Sequence, residues 1–307
     1  MPATFRFALR IAASSAAALL LSGCSIKRMA INSLGNALAS GSSSSFARDD
    51  DPELIRDAVP FALKTMESLL DEAPRHQGLL TAAASGFTQY GYAFIQQEAD
   101  FVEARDLAEA TRMRERAKKL YLRGAEYGLR GLDVDFPGFR DQLSTAPDAA
   151  LAKVGRKHVP LLYWTAAAWA AALAIDVNDA DLSVRQTAIE KMMRRALELD
   201  ESWGQGSLHD FFISWEGAHA STGGSMAEAR KHFARARQLA AGTRVAPFVS
   251  LAESASINEN NRKEFESLLR EALAVDISKA PDQKLANVIG QRRARWLLSR
   301  IDDLFVN

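Results

Sequence analysis

The 307-residue chain contains a single cysteine, Cys24, and this scarcity excludes disulfide bonds and thiolate-rich metal sites. Basic and acidic residues are equal in number, 38 of each, so no cationic excess indicates a nucleic-acid partner. Alternating runs of β-branched residues are scarce too, whereas alanine, leucine, arginine and glutamate dominate. This composition predicts an all-α protein that is stabilised by helix packing.

Motifs that carry known chemistry are also missing. The sequence has no GxxxxGK[ST] phosphate loop, no GxSxG elbow and no HExxH metal site, and its five histidines lack metal-ligand spacing. His209-Asp210 has the form of an oriented base, but no nucleophile accompanies it, so we interpret His209 as a packed or capping residue. We therefore expect no enzymatic activity, no cofactor and no metal.

The N-terminal apolar run is short. It extends from Ile11 to Leu21, follows Arg6 and Arg10, and ends at Leu21-Ser22-Gly23-Cys24. Eleven residues span about 16 Å as a helix, which is well short of the ~30 Å hydrocarbon core. This pattern is typical of a lipoprotein signal peptide over residues 1–23 that is cut before Cys24.

Lipidation of Cys24 would anchor the mature chain to a membrane, because two or three acyl chains bind far more firmly than one. Ser25 follows Cys24, where an aspartate would favour retention in the inner membrane. In a Gram-negative source we therefore expect the mature protein to lie on the periplasmic face of the outer membrane. Residues 24–50 are predicted to form the lipidated N-terminus and a tether, whose serine-rich part begins at Gly41. The folded domain is predicted over 51–307, with Asp51 as an N-cap before Pro52.

Repetition is the strongest signal in the folded part. Small, large and small residues recur at spacings of four and three, which keeps one stripe of a helix against its partner. The triplets are Ala62/Met66/Leu69, Ala117/Tyr121/Gly124, Ile189/Met193/Ala196, Ala229/Phe233/Ala236 and Phe265/Leu269/Ala272. Their offsets are near the ~34-residue tetratricopeptide period. We predict a tetratricopeptide-like helical-repeat superhelix (α-solenoid); a less regular helical bundle is the alternative.

Each triplet helix would be the second of a pair. The first helices are predicted at Gln77 to Gln97, His158 to Ile175, Ser207 to Ala220, Ala246 to Asn258 and Lys284 to Phe305. Gly131 to Pro147 is predicted to be a long connection, because Pro137, Gly138 and Pro147 interrupt helices.

The first helices carry most of the aromatic residues. First helices line the concave side of a superhelix, so some rings could face a groove or channel and bind an apolar ligand or a partner segment. The candidates are Tyr90, Trp164, Trp169, Trp203 and Trp215. Core packing is an equally good interpretation of the same rings. The basic run from Arg112 to Lys119 contains interleaved glutamates, which favours a salt-bridged helix surface over an anion site.

The order of these features resembles the T component associated with tripartite ATP-independent periplasmic (TRAP) transporters, a family of lipoproteins with tetratricopeptide-like helices. The resemblance covers nearly the whole mature chain. It rests on the segment ending at Cys24 and on AVPFALKTMESLL (58–70), GFTQYGYAF (86–94), AKKLYLRGA (117–125) and EFESLLREAL (264–273). It implies a non-enzymatic partner of the periplasmic substrate-binding protein of such a transporter, with a hydrophobic channel that helps to pass apolar or organic-acid ligands.

Two further functions stay open at this point. An envelope-assembly scaffold lipoprotein would use the same repeats to hold other proteins, and a cell-wall hydrolase would need a carboxylate pair that sequence alone does not locate. The sequence leaves the oligomeric state, including a homo-oligomer, open.

The lipid anchor gives a direct prediction. Cys24→Ser removes the thiol that forms the thioether, so we expect an uncleaved precursor and no incorporation of radiolabelled palmitate in cells. Ser25→Ala, which keeps the thiol, serves as the matched control and should be labelled as the unmodified sequence is. Labelling that survives in Cys24→Ser would refute the assignment.

Overall fold

The computed structural model describes residues 33–36, 45–219 and 223–305, and within these ranges the chain is helical without a strand. Cys24, the signal peptide predicted over 1–23 and the serine run at 42–44 lie outside the described residues. The helices are α1 (Pro52–Glu72), α2 (Gln77–Tyr90), α3 (Gln97–Val102), α4 (Leu107–Asp135), α5 (Phe139–Thr145), α6 (Pro147–Ala152), α7 (Val159–Ile175), α8 (Ala180–Ser183), α9 (Gln186–Leu199), α10 (Ser207–Ala218), α11 (Met226–Leu239), α12 (Ala246–Leu251), α13 (Arg262–Ala274), α14 (Lys284–Ser299) and α15 (Ile301–Leu304). The expected all-α class is confirmed.

Several helices begin at side-chain caps that the sequence encodes. The Asp51 carboxylate accepts from the backbone N–H of Leu54 at 3.0 Å, and Pro52 occupies the first turn, as predicted. Asp106 and Asn261 cap α4 and α13 in the same way. Each cap is followed by a glutamate in the first turn, where the helix dipole favours a negative charge.

Consecutive helices pack as pairs: α2 with α4, α7 with α9, α10 with α11, and α12 with α13. Four of the five predicted triplets lie in the helices of these pairs, and the fifth, Ala62/Met66/Leu69, lies on α1. Ile189, Met193 and Ala196 are fully buried in α9, and Phe265, Leu269 and Ala272 are fully buried in α13. In α4, a Cβ on Gly124 would lie 2.7 Å from Thr88 Oγ1, so only glycine permits this approach to α2. The superhelical twist expected from the repeats stays a prediction.

The long connection expected over residues 131–147 is wrong. Helix α4 continues to Asp135, and α5 and α6 follow after a break of three residues. Gly131 does not end the helix; it admits α7, because a Cβ at this position would lie 2.5 Å from Leu161 Cδ2. The helices are interrupted at Phe136–Gly138, where Gly138 has φ +79°, and again at Ala146, directly before Pro147 begins α6.

Two predicted first helices contain an unforeseen change of helical type. Between α2 and α3 the segment Gly91–Gln96 is a π-helical turn, and after α12 the segment Ala252–Ser256 is another. Each π turn accommodates an extra residue without breaking the helix.

The first helices of the pairs, α2, α7, α10, α12 and α14, begin at the same end of the molecule, which we call the cap end. Polar contacts connect neighbouring helix starts along this end. At the first helices, Gln77 Nε2 donates to Gly131 O, Asp135 binds Lys157 and His158, and Arg156 binds Asp200. Further along, Arg244 donates to Gln205 O, and Asn287 Nδ2 donates to Thr243 O. The opposite end, with residues 103–107, 176–185 and 257–262, is called the loop end.

The last of these helices returns to the first ones. In α14, Arg293 binds Asp100 of α3 at 2.8 Å and Glu253 at 2.6 Å, and its side chain is only 12% exposed. The rings of Phe101 and Trp296 lie 5.2 Å apart beside it. Ile289 of α14 belongs to the same apolar core as α2 and α7. The row of helix pairs therefore closes on itself.

Loss of this junction should be measurable. Arg293→Met keeps the apolar stem but leaves two partly buried carboxylates without their cation. We expect the free energy of unfolding to fall by about 2–3 kcal/mol, less than for a fully buried pair because both acids retain some solvent. Urea unfolding followed by circular dichroism measures the change. The matched control is Arg295→Met, on the exposed side of the same helix, with an expected change of about 0.5 kcal/mol or less. Equal stability of the two variants would contradict the role of Arg293.

Candidate functional site

Helix α7 has an apolar face that is not fully buried. The helix carries no charged residue from Val159 to Ile175. Its partly exposed residues are apolar or aromatic and include Tyr163, Trp164, Ala167 and Ala170. The open face of a helix in a soluble protein is normally polar. An apolar open face therefore indicates an enclosed space or an occupied surface.

Within the described part of the chain, Arg156–Ile175 is one helical stretch that is long and apolar enough to cross a membrane. Its most apolar window is 56% buried in the protein. Buried core helices pass the same test of length and composition, and the packing of α7 against α4 and α9 accounts for this one.

Three partly exposed aromatic side chains contact one another, two of them on α7 and the third in the turn before α10. The ring of Tyr163 lies 4.9 Å from that of Trp164 and 4.6 Å from that of Trp203, which belongs to the turn before α10. Trp164 and Trp203 are 6.4 Å apart in an edge-on arrangement. Such offset pairs are favourable beyond the area that they bury. We call Tyr163, Trp164 and Trp203 the aromatic cluster.

Trp203 is positioned by a strained turn. The next three residues all have left-handed backbone angles, with φ values of +58° at Gly204, +55° at Gln205 and +91° at Gly206. Two glycines adopt these angles without cost, but Gln205 does not. Arg244 Nη1 donates to the carbonyl of Gln205 at 3.2 Å and so stabilises the turn.

Arg244 also forms a buried ion pair. Its Nη2 lies 2.5 Å from Asp210 Oδ2, and the two residues are 8% and 9% exposed. Asp210 Oδ2 is in contact with the guanidinium, whereas Asp210 Oδ1 and Arg244 Nε have no hydrogen-bond partner among the described residues. Burial raises the pKa of Asp210, and the charge of Arg244 opposes that rise. Unsatisfied buried polar atoms are uncommon in proteins, and a water or a ligand can complete their hydrogen bonds.

The ion pair is close enough to act on the aromatic cluster. Burial raises the pKa of Tyr163 to about 12, and the charge of Asp210 adds to the effect while Arg244 opposes it. The Tyr163 hydroxyl is therefore neutral and available as a hydrogen-bond donor. The site thus combines aromatic surface with polar groups that lack partners.

A further partly exposed aromatic side chain, Tyr92, lies in the π turn after α2. It is 45% exposed, yet burial raises its pKa, and Glu253, Arg293 and Asp100 also influence it. These charges come from α3, from the π turn after α12 and from α14. Tyr92 therefore lies near the charged groups that join the last helices to the first ones.

The structure separates the other predicted lining residues. Tyr90 lines a different cavity of about 620 Å³ between α1, α3 and α4, with Phe94, Ile95 and Arg116. Trp169 is buried under the guanidinium of Arg185, 4.9 Å from the ring centre. Trp215 is buried against Phe211 and His219. Trp164 and Trp203 therefore meet, and the remaining three rings lie elsewhere.

Sequence reasoning did not single out Arg244 or Asp210 as a pair. They are 34 positions apart, and neither belongs to a motif. The aromatic residues of the predicted first helices, Trp164 and Trp203 among them, were the signal that pointed to this region.

His209 is not a catalytic base paired with Asp210. Its Nδ1 lies 2.7 Å from Nδ1 of His232, so one ring donates to the other, and its Nε2 lies 3.2 Å from Glu201. The hydrogen bond from Arg235 lowers the pKa of Glu201 to about 2. No cluster of metal ligands occurs in the ranges that the structure describes.

The basic run of α4 is a salt-bridged surface, as the interleaved glutamates indicated. Arg114 binds Asp100 at 2.7 Å and Glu103 at 3.0 Å, and Lys118 binds Asp176 and Asp179. These cations tie α4 to its neighbours.

Comparison with known proteins identifies the family. The model of the TRAP transporter T-component family matches residues 48–305. The chain belongs to this family. An uncharacterised protein of Treponema pallidum (strain Nichols) is 31% identical over 310 aligned positions, which cover 95% of this chain and 96% of that protein. The resemblance stated from the sequence is thus confirmed, and the family is one of transport components rather than enzymes.

The histidine pair predicts a pH dependence. Burial, and then the charge of His209, lower the pKa of His232 from 6.5 to about 4, so the unfolded chain takes up its proton first as the pH falls. Stability that this group provides is present above pH 6.5 and is lost as the pH falls from 6.5 to 4.

His232→Phe removes the titrating group and keeps the stacking on Phe212. Both proteins should become less stable as the pH falls from 7 to 4, but we expect the free energy of unfolding to fall by about 1–2 kcal/mol less in His232→Phe than in the unmodified protein. Urea unfolding at both pH values measures the difference. His76→Phe is the control for a histidine outside the pair. Identical pH dependence in all three proteins would contradict the prediction.

Proposed function

We propose that the protein is a lipid-anchored periplasmic component of a TRAP-type transport system. It binds the substrate-binding protein of the transporter and helps to relay an apolar or organic-acid ligand through the interior between its helices. Lipidation at Cys24 and a position on the periplasmic face of the outer membrane are part of this proposal.

The observation that carries the proposal is the aromatic cluster beside the unsatisfied Asp210–Arg244 pair. Tyr163, Trp164 and Trp203 offer partly exposed apolar surface, and the orphaned polar atoms lie within electrostatic reach. An apolar ligand with one polar group would bury its body on the rings and satisfy the polar atoms. A site of this kind suits transient binding and release.

The ring closure supports relay rather than storage. Tyr92 is 45% exposed, and it lies in the π turn that continues α2, the helix that packs directly against α7. Partly exposed surface thus occurs both at the aromatic cluster and near the α14 junction. A ligand that moves through the interior would meet both regions.

The partner part of the proposal has a direct test. The full lipoprotein, solubilised in mild detergent, is used to capture periplasmic proteins after reversible crosslinking. We expect recovery of a periplasmic substrate-binding protein whose gene neighbours transporter genes. Capture of outer-membrane assembly factors without such a protein would reject this function and favour the envelope-assembly scaffold.

The ligand part is tested with a fluorescent apolar anion, 1-anilinonaphthalene-8-sulfonate. Trp203→Ala removes the ring that closes the aromatic cluster, so we expect its Kd to rise about tenfold, equivalent to about 1.4 kcal/mol. Phe61→Ala, which removes an exposed aromatic ring from α1, is the matched control and should leave Kd unchanged. Unchanged binding in a folded Trp203→Ala variant would reject the aromatic cluster as the site.

A further inference from the structure

The first described residues already touch the body. Residues 33–36 form a single helical turn, and Gly35 within it is buried. A Cβ on Gly35 would lie 3.0 Å from His76 Nε2 and 3.0 Å from Leu79 Cδ1. His76 is the N-cap of α2, so this turn rests on the cap end.

The next described segment lies at the same end. Phe46 packs against the apolar core, and Arg48 Nε binds Asp282 Oδ1 at 2.6 Å, just before α14 begins. Asp50 forms an ion pair with Lys284 in the first turn of α14. Two successive parts of the N-terminal region are therefore fixed to the cap end.

Covalent geometry limits how far this end can be from the anchor. Nine residue steps separate Cys24 from Ser33, and a fully extended chain gains at most about 3.6 Å per step, or roughly 32 Å in all. Helix α4 runs from the loop end to the cap end over 29 residues, or about 43 Å. The chain before Ser33 is too short to reach past the body to its loop end.

We infer that the cap end is the surface that faces the lipid bilayer, and that the loop end faces the periplasm. The inference rests on the proposed lipidation of Cys24. It leaves the exposed apolar side chains Leu107, Val177 and Val184 on the face that is turned away from the membrane.

Net charge does not set this orientation. Three exposed cations of the cap end are paired with acids: Arg156 with Asp200, Lys157 with Asp135, and Lys279 with Asp276. The attachment of residues 33–36 and 45–50 to the body sets it, together with the short connection to Cys24.

The single cysteine makes the test simple. In the lipidated protein Cys24 is consumed as a thioether, so a cysteine introduced elsewhere is the only free thiol. Lys279→Cys at the cap end and Val184→Cys at the loop end, where Val184 is 80% exposed, are each labelled with an environment-sensitive fluorophore. The proteins are inserted into vesicles that contain lipids with nitroxide headgroups.

We expect quenching at position 279 to be at least threefold stronger than at position 184. Equal quenching, or stronger quenching at position 184, would overturn the orientation. Incorporation of radiolabelled palmitate is measured on the same samples. Absence of the label would reject the anchor and the orientation together, whereas a labelled protein with reversed quenching would reject the orientation alone.

A second pair of variants tests the docked turn. Gly35→Asp places a side chain against His76 and Leu79, whereas Ser33→Asp adds the same charge at an exposed position. In the Lys279→Cys background we expect Gly35→Asp to reduce quenching by at least half and Ser33→Asp to leave it unchanged. Equal quenching in the two variants would overturn the role of the turn.

Discussion

The contact of Arg293 with Asp100 and Glu253 joins residues that are almost 200 positions apart in the chain. An open row of helix pairs would leave the apolar face of α7 in contact with water. Because α14 returns to α3, its Ile289 instead joins the apolar core that includes α7. The charges have little solvent, so their mutual attraction is strong only while all three groups stay in place. Closure of the row therefore depends on all three groups together.

Near the aromatic cluster the structure leaves buried polar atoms without a partner. Asp210 Oδ2 contacts the guanidinium of Arg244, whereas Asp210 Oδ1 and Arg244 Nε have no hydrogen-bond partner among the described residues, and the charges of both residues act on Tyr163. Protein interiors usually satisfy such groups, and exceptions are common where a ligand or water completes them. The strained turn at Gln205 adds to this cost at the same place.

The sequence predicted those parts of the molecule that depend on local spacing. The 4-3 triplets identified buried seams, and Asp51-Pro52 identified the start of α1, because both signals are read from neighbours within two helical turns. The connection expected over 131–147 was wrong, since Gly131 is required for the close approach of Leu161 and this requirement is visible only in three dimensions. The Asp210–Arg244 pair and the closure at Arg293 join distant positions, and no local pattern encodes them.

The π turn at Gly91–Gln96 sets the direction in which the later side chains of its helix point. A π turn holds one residue more than the α-helical turn that it replaces, so every later residue of the helix is rotated by about 100°. Asp100 and Phe101, which meet α14, follow this turn. Loss of one codon from the segment would preserve a continuous helix and its apolar composition, yet it would aim both side chains away from their partners. Sequence comparisons within the family should therefore treat a one-residue gap at this position as a change of architecture rather than as a neutral length difference.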